Sequence, residues 1–134
     1  GLLHYTHALE HPLSGIKPEL SHGLGLAMLL PAVIKEIYAN QSYVLADVLA
    51  PLVSGLTGAP EEADKAAKGV EAWLKSVGVP QKLEDEGFTE ADVEKLVKLT
   101  YDTPSLAGLL AIGPVGDGKE VVEAIYRNSL KPMA

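Results

Sequence analysis

Apolar residues recur at intervals of three and four positions along most of this chain, which is the spacing of one face of an α-helix. Strict alternation of polar and apolar residues over five or more positions, which is typical of half-buried strands, is scarce. The pattern therefore predicts an all-α fold of about six to seven helices.

Helix start and stop signals divide this pattern into segments. The first helix is expected to carry His4–His11 and to weaken near Ser14 and Gly15. Ser21 is the predicted N-cap of a second helix over 22–38. Further helices are predicted over 42–56, over 60–77, over 89–101 behind a capping box of Thr89 and Asp92, over 105–110 and over 119–129, with irregular chain over 79–87 and a turn over 113–118. In the last helix the predicted buried stripe consists of Val121, Val122, Ala124 and Ile125.

The composition is that of a globular protein, with 47% hydrophobic and 22% charged residues. A length of 134 residues is enough for one domain with a core of its own, and we expect a single domain over 1–134. The apolar run over 24–34 is too short to span a membrane, which requires about 20 residues, so it predicts a buried helix.

The net charge of −7 and the absence of cysteine exclude several kinds of site. No basic stripe is present to neutralise phosphates, so nucleic acid and anionic membranes are not expected partners. Without thiols, a metal site must use nitrogen and oxygen ligands, and a cytoplasmic location is expected. The chain begins with Gly1, without a methionine or a basic leader, so we expect it to be part of a longer protein.

All four histidines lie within the first 22 residues. His4, His7 and His11 stand at positions i, i+3 and i+7, so they share one face of the first predicted helix, and His22 follows after a short loop. Imidazole is the commonest protein metal ligand and titrates near neutral pH, so the cluster predicts a metal site or proton-transfer chemistry. Spacing alone favours His7 with His11 as a ligand pair. The alternative is a set of ordinary histidines at the edge of the core.

Two sequence motifs resemble the iron-containing (group III) alcohol dehydrogenases. The first is HALEHPLS at 7–14, the second is SHGLGLAMLLP at 21–31, and weaker similarity extends to EVVEAIYRNS at 120–129. The resemblance implies the all-helical, dehydroquinate synthase-like C-terminal domain of a two-domain enzyme. In such an enzyme a separate N-terminal domain binds NAD(P), and a divalent metal, usually Fe(II) and sometimes Zn(II), lies between the domains.

The resemblance also assigns roles to individual histidines. It implies that His7 and His22 bind the metal together with an aspartate and a histidine from an upstream helix, whereas His11 lines the substrate pocket. It gives His4 no role. For His11 this conflicts with the spacing argument, and we follow the resemblance because ligands from separate helices encircle a cation better than one helix face can.

The function implied by the resemblance is hydride transfer between a nicotinamide cofactor and a small alcohol or aldehyde. The isolated chain is then expected to be nearly inactive and to associate with its missing N-terminal domain, and it is a candidate homo-oligomer. Two alternatives stay open. One is a relative of the zinc-dependent glycerol dehydrogenases or dehydroquinate synthases, and the other is a non-enzymatic helical interaction module with incidental histidines.

Overall fold

The computed structural model describes residues 2–40, 42–102 and 119–132, with side chains from Thr6 onward except at position 40. Every regular element in these ranges is helical, which confirms the predicted all-α fold. The helices are α1 (Leu2–Ile16), α2 (His22–Ile37), α3 (Ser42–Leu49), α4 (Ala63–Ser76), α5 (Glu90–Asp102) and α6 (Lys119–Asn128), joined in part by short 3₁₀ turns at Tyr38–Asn40, Pro60–Glu62 and Leu83–Glu86. The helix predicted over 105–110 and the turn over 113–118 lie outside the described residues.

Two predicted helix ends were wrong. Helix α1 does not weaken at Ser14 but continues to Ile16, because the Ser14 hydroxyl donates to the Glu10 carboxylate one turn earlier and does not compete with the helix backbone. Helix α3 ends at Leu49, seven residues before the predicted end. Pro51 lacks an N–H and disfavours helical geometry in the residue before it, so the chain turns there.

The helix starts are closer to expectation. Ser21 has extended backbone angles and directly precedes α2, although its hydroxyl makes no capping hydrogen bond. At α5 the Thr89 N–H donates to Asp92 Oδ2 over 2.9 Å, which is one of the two hydrogen bonds of the predicted capping box. In α6 the stripe is shifted relative to the prediction. Val122 and Ile125 are buried, Val121 and Ala124 are only half-buried, and Tyr126 is fully buried instead.

Helix α2 lies at the centre of the fold and contacts α1, α4 and α6. Burial follows from its composition, because between Gly23 and Ile34 it carries no charged side chain. Its buried residues are Gly25, Met28, Leu29, Pro31, Ala32, Val33, Ile34 and Ile37. Within the described parts of the chain, no helix has both the length and the apolar character that crossing a membrane requires.

Helix α1 is fixed to the C-terminal half of the fold by a buried tyrosine. The Tyr126 hydroxyl on α6 donates to the Leu9 carbonyl over 2.6 Å, and the Thr100 hydroxyl on α5 lies 3.1 Å from the Tyr126 hydroxyl oxygen. Thr100 and Tyr126 are fully buried, so these hydrogen bonds form out of water. They hold in place the stretch of α1 that carries His7, Glu10 and His11.

The loop before α4 is organised by the Glu62 carboxylate. It accepts hydrogen bonds from the backbone N–H groups of Thr57, Gly58 and Ala59 and from the hydroxyls of Thr57 and Tyr38. Burial acts to raise the pKa of Glu62, but these hydrogen bonds, first those from Thr57, outweigh it and leave the pKa below its ordinary 4.5. Burial, and then the neighbouring Glu62 carboxylate, raise the pKa of Tyr38 above 10.0.

Candidate metal centre

The structure brings the rings of His7 and His22 together beside the N-terminal end of α2. Nε2 of His22 lies 3.4 Å from Nδ1 of His7, and the two ring centroids are 4.5 Å apart. His7 lies midway along α1, whereas His22 is the first residue of α2, so the turn over 17–21 folds the second ring back onto the first. Both histidines are exposed, and 47% of the His22 side chain is accessible.

His11 lies beside this pair without joining it. Its ring centroid is 5.3 Å from that of His7 and 6.4 Å from that of His22. His7 and His22, which lie on different helices, therefore have the shortest distance between ring centroids. Helical spacing had favoured His7 and His11 instead. The ring of His4 lies outside the described side chains.

The separation of the facing nitrogens fits a shared metal ion. Metal–nitrogen bonds of about 2.0–2.1 Å at a tetrahedral angle place two ligand nitrogens about 3.3–3.4 Å apart. Imidazole nitrogen suits both Fe(II) and Zn(II), so the two rings do not discriminate between these metals. Among the described residues no set of three histidine, aspartate, glutamate or cysteine side chains converges in a way that could hold a metal. If the two histidines bind a metal, they would supply only part of its coordination shell.

The far side of the His22 ring is held by a buried acid. Nδ1 of His22 lies 2.8 Å from Oε2 of Glu10, whose side chain is completely buried. The Ser14 hydroxyl donates to both oxygens of the same carboxylate. The ring is thereby fixed in an orientation that directs Nε2 toward His7.

Sequence reasoning missed Glu10, although it lies inside the motif that carried the family resemblance. An acid between His7 and His11 looks like a solvent-facing residue on a helix. The available clue was Ser14, one turn further along α1, which can donate to a carboxylate at i−4. The decisive feature is on α2, where Gly25 leaves room. A Cβ added to Gly25 would lie 2.8 Å from Cγ of Glu10.

Comparisons with known proteins converge on one family. Residues 2–130 match the C-terminal profile of the Fe-containing alcohol dehydrogenase family. A long-chain primary alcohol dehydrogenase of Thermoanaerobacter ethanolicus is 56% identical over 129 residues, covering 96% of this chain and 32% of that protein. A 1,3-propanediol dehydrogenase of Klebsiella pneumoniae is 27% identical over 129 residues, covering 95% of this chain and 32% of that protein.

Solved structures agree with these relatives. An NADH-dependent butanol dehydrogenase A from Thermotoga maritima superposes with a TM-score of 0.72 at 27% identity, over 95% of this chain and 33% of that one. An archaeal halo-thermophilic alcohol dehydrogenase from a Red Sea brine pool gives a TM-score of 0.74 at 25% identity, over 93% of this chain and 32% of that one. The chain thus spans about a third of the length of the relatives it matches.

Proposed function

The chain belongs to the Fe-containing alcohol dehydrogenase family, to which it corresponds as the C-terminal part, and on that basis we propose that it is the metal-binding and substrate-pocket half of an NAD(P)-linked alcohol dehydrogenase. The observation that carries the proposal is the 3.4 Å separation between Nε2 of His22 and Nδ1 of His7. In the complete enzyme a preceding domain would bind the nicotinamide cofactor and close over the exposed histidine face.

His7 and His22 would hold the metal, with two further ligands supplied by the preceding domain. Fe(II) is the expected ion because of the family, and Zn(II) is compatible with the same nitrogens. When bound, the metal would act as a Lewis acid that polarises the substrate oxygen.

The residues of this chain would orient the substrate and remove its proton. In alcohol oxidation the carbinol carbon gives a hydride to the nicotinamide and the hydroxyl group gives up a proton. His11, which is exposed and has its ring centroid 5.3 Å from that of His7, would accept that proton at a ring nitrogen and pass it to solvent. In aldehyde reduction the same imidazole would deliver the proton to the oxygen.

Primary alcohols and aldehydes are the first substrates to assay, because the 56% identical relative is named for long-chain primary alcohols. A zinc-dependent glycerol dehydrogenase or dehydroquinate synthase chemistry is the alternative within the wider fold. A purely structural interaction module is the alternative of another class, and the family assignment together with the facing rings of His7 and His22 favours the enzyme. A cytoplasmic location and a homo-oligomeric enzyme remain predictions.

The test uses the full-length polypeptide that contains this chain, with metal content and alcohol-dependent NAD(P)H formation measured on each variant. H7A and H22A should lose bound metal and activity together. H11A should keep its metal while kcat falls about 10²–10⁴-fold, as expected for loss of a general acid–base group. H4A is the matched histidine control and should behave like the wild type. Stoichiometric metal retained in both H7A and H22A would refute the assignment.

A further inference from the structure

We propose that Glu10 is the positioning residue of the metal centre: its buried carboxylate, in space that Gly25 leaves free, fixes the tautomer and the direction of the His22 ring. The proposal rests on the proposed function, because it concerns how one of the two predicted ligands is prepared to bind a metal. It adds two residues to the site that the histidine pattern does not contain.

The burial of Glu10 shows that this carboxylate is not a surface charge. Its side chain has no accessible area, although it lies on a helix that exposes both neighbouring histidines, His7 and His11. A buried carboxylate is tolerated in proteins when donors satisfy its oxygens. Here the donors are the Ser14 hydroxyl and Nδ1 of His22, so the principal long-range partner of Glu10 is the predicted ligand itself.

The contact determines which nitrogen of His22 can bind a metal. A carboxylate accepts hydrogen bonds, so Nδ1 of His22 carries the hydrogen that points to Glu10. In a neutral imidazole with Nδ1 protonated, Nε2 keeps its lone pair, and Nε2 is the atom that faces His7. Ligating histidines commonly donate their second ring N–H to a carboxylate, which fixes the ring and increases its basicity as a ligand.

Gly25 makes this arrangement sterically possible. A Cβ at this position would lie 2.8 Å from Cγ and 3.1 Å from Cδ of Glu10, so any larger residue would displace the carboxylate. Gly23 provides a matched comparison in the same helix. A Cβ there would meet no neighbour nearer than 4.0 Å, where the Ser21 hydroxyl lies. G25A and G23A both replace a glycine of α2 by alanine, but only G25A places a methyl group against Glu10.

The first experiment measures the His22 tautomer without any metal. The chain is labelled with ¹⁵N-histidine, its helical fold is verified by circular dichroism, and long-range ¹H–¹⁵N spectra are recorded about two pH units above the ordinary imidazole pKa of ~6.5. The wild type, G23A and the conservative variant E10Q, whose amide oxygen can still accept from Nδ1, should show His22 protonated at Nδ1. E10A and G25A should show a mixture of tautomers. A mixture in the wild type, or an unchanged tautomer in E10A, would overturn the proposal.

The second experiment measures Zn²⁺ affinity in the full-length polypeptide by competition with a chelator. E10A and G25A should bind zinc about 10–100-fold more weakly than the wild type, which is the usual effect of losing such a supporting contact, whereas G23A should be unchanged. Wild-type affinity in E10A would overturn the role of Glu10 while leaving His7 and His22 as ligands. A wild-type protein that binds no zinc or iron would instead overturn the proposed function, and the tautomer result would then decide only whether Glu10 orients the His22 ring.

Discussion

Replacing Gly69 by alanine should destabilise the chain even though Gly69 lies inside helix α4, where alanine is normally preferred. In an unconstrained helix interior this substitution stabilises by about 0.5–1 kcal/mol. At Gly69, however, a Cβ would lie 2.5 Å and 2.7 Å from the two methyl carbons of Val53 and 3.2 Å from its Cβ. The new methyl group would therefore enter space that Val53 already fills.

Rotation of the Val53 side chain cannot remove the clash. Valine is branched at Cβ, so turning χ1 moves one methyl away only by bringing another substituent in. The 3.2 Å approach to the Val53 Cβ does not change with χ1, and it is shorter than the ordinary 3.4–4 Å contact. Relief requires the turn after α3 to move away from α4, and Val53 is 93% buried in that interface.

The expected change in the free energy of unfolding is the balance of two opposing effects, the steric clash and the gain in helix propensity. Overpacking a well-filled core costs about 1–3 kcal/mol, against which the helix gains up to about 1 kcal/mol. We expect G69A to lower the free energy of unfolding by about 1–2 kcal/mol. V53A alone removes two buried methyl groups and should cost about 2 kcal/mol. In the double variant the alanine methyl occupies the vacated space, so we expect a total cost of about 1–1.5 kcal/mol, well below the sum of the single effects.

The assay is equilibrium unfolding in urea followed by circular dichroism, with a common m-value across the variants. G15A is the control, because Gly15 also lies in a helix but has no atom within 4 Å of an added Cβ. It should raise stability by a few tenths to about 1 kcal/mol. If G69A is as stable as the wild type, or if the double variant is additive within about 0.5 kcal/mol, the packing argument fails.

Three further predictions concern the loop, the core and the cofactor. The pKa of Glu62 is lowered in the folded chain, so its hydrogen bonds stabilise the fold above the ordinary 4.5 and this stabilisation is lost as pH falls through the folded value. E62Q should therefore have a lower free energy of unfolding than the wild type near neutral pH. Urea unfolding below the pKa of Glu62 in the folded chain should show a smaller difference between the two proteins, and a difference that does not change with pH would contradict this. Y126F, which removes the hydrogen bond to the Leu9 carbonyl, should cost about 1 kcal/mol in the same assay, and an unchanged midpoint would show that the bond is not stabilising. Calorimetry should detect no appreciable NAD(H) binding to this chain alone, and clear binding would contradict the proposal that a separate domain binds the nicotinamide cofactor.

Helical periodicity was sufficient to predict the fold class and most helix starts, because each helix has its own apolar stripe and start signals. It failed where tertiary contacts decide the outcome. Leu52, Val53 and Leu56 continue the apolar spacing of α3, but Pro51 ends the helix and Val53 packs against Gly69 from a turn. Apolar periodicity indicates which residues are buried, but it does not distinguish a buried turn from a buried helix.

The same limit applies to the candidate site, because contacts between helices cannot be predicted from the spacing within one helix. The family motif, and not helical spacing, selected His7 with His22. Glu10 could not be assigned from its neighbours along the chain. Its burial depends on the absence of a side chain at Gly25, fifteen residues later on another helix. Such a contact becomes visible only when α1 and α2 are packed together.

The most direct test of the central claim is the location of the metal in crystals of the active full-length polypeptide, by anomalous scattering at the absorption edge of the metal. We expect a peak between the two rings, about 2.0–2.1 Å from Nε2 of His22 and from a ring nitrogen of His7. A metal peak distant from both histidines in crystals that retain alcohol dehydrogenase activity would contradict it.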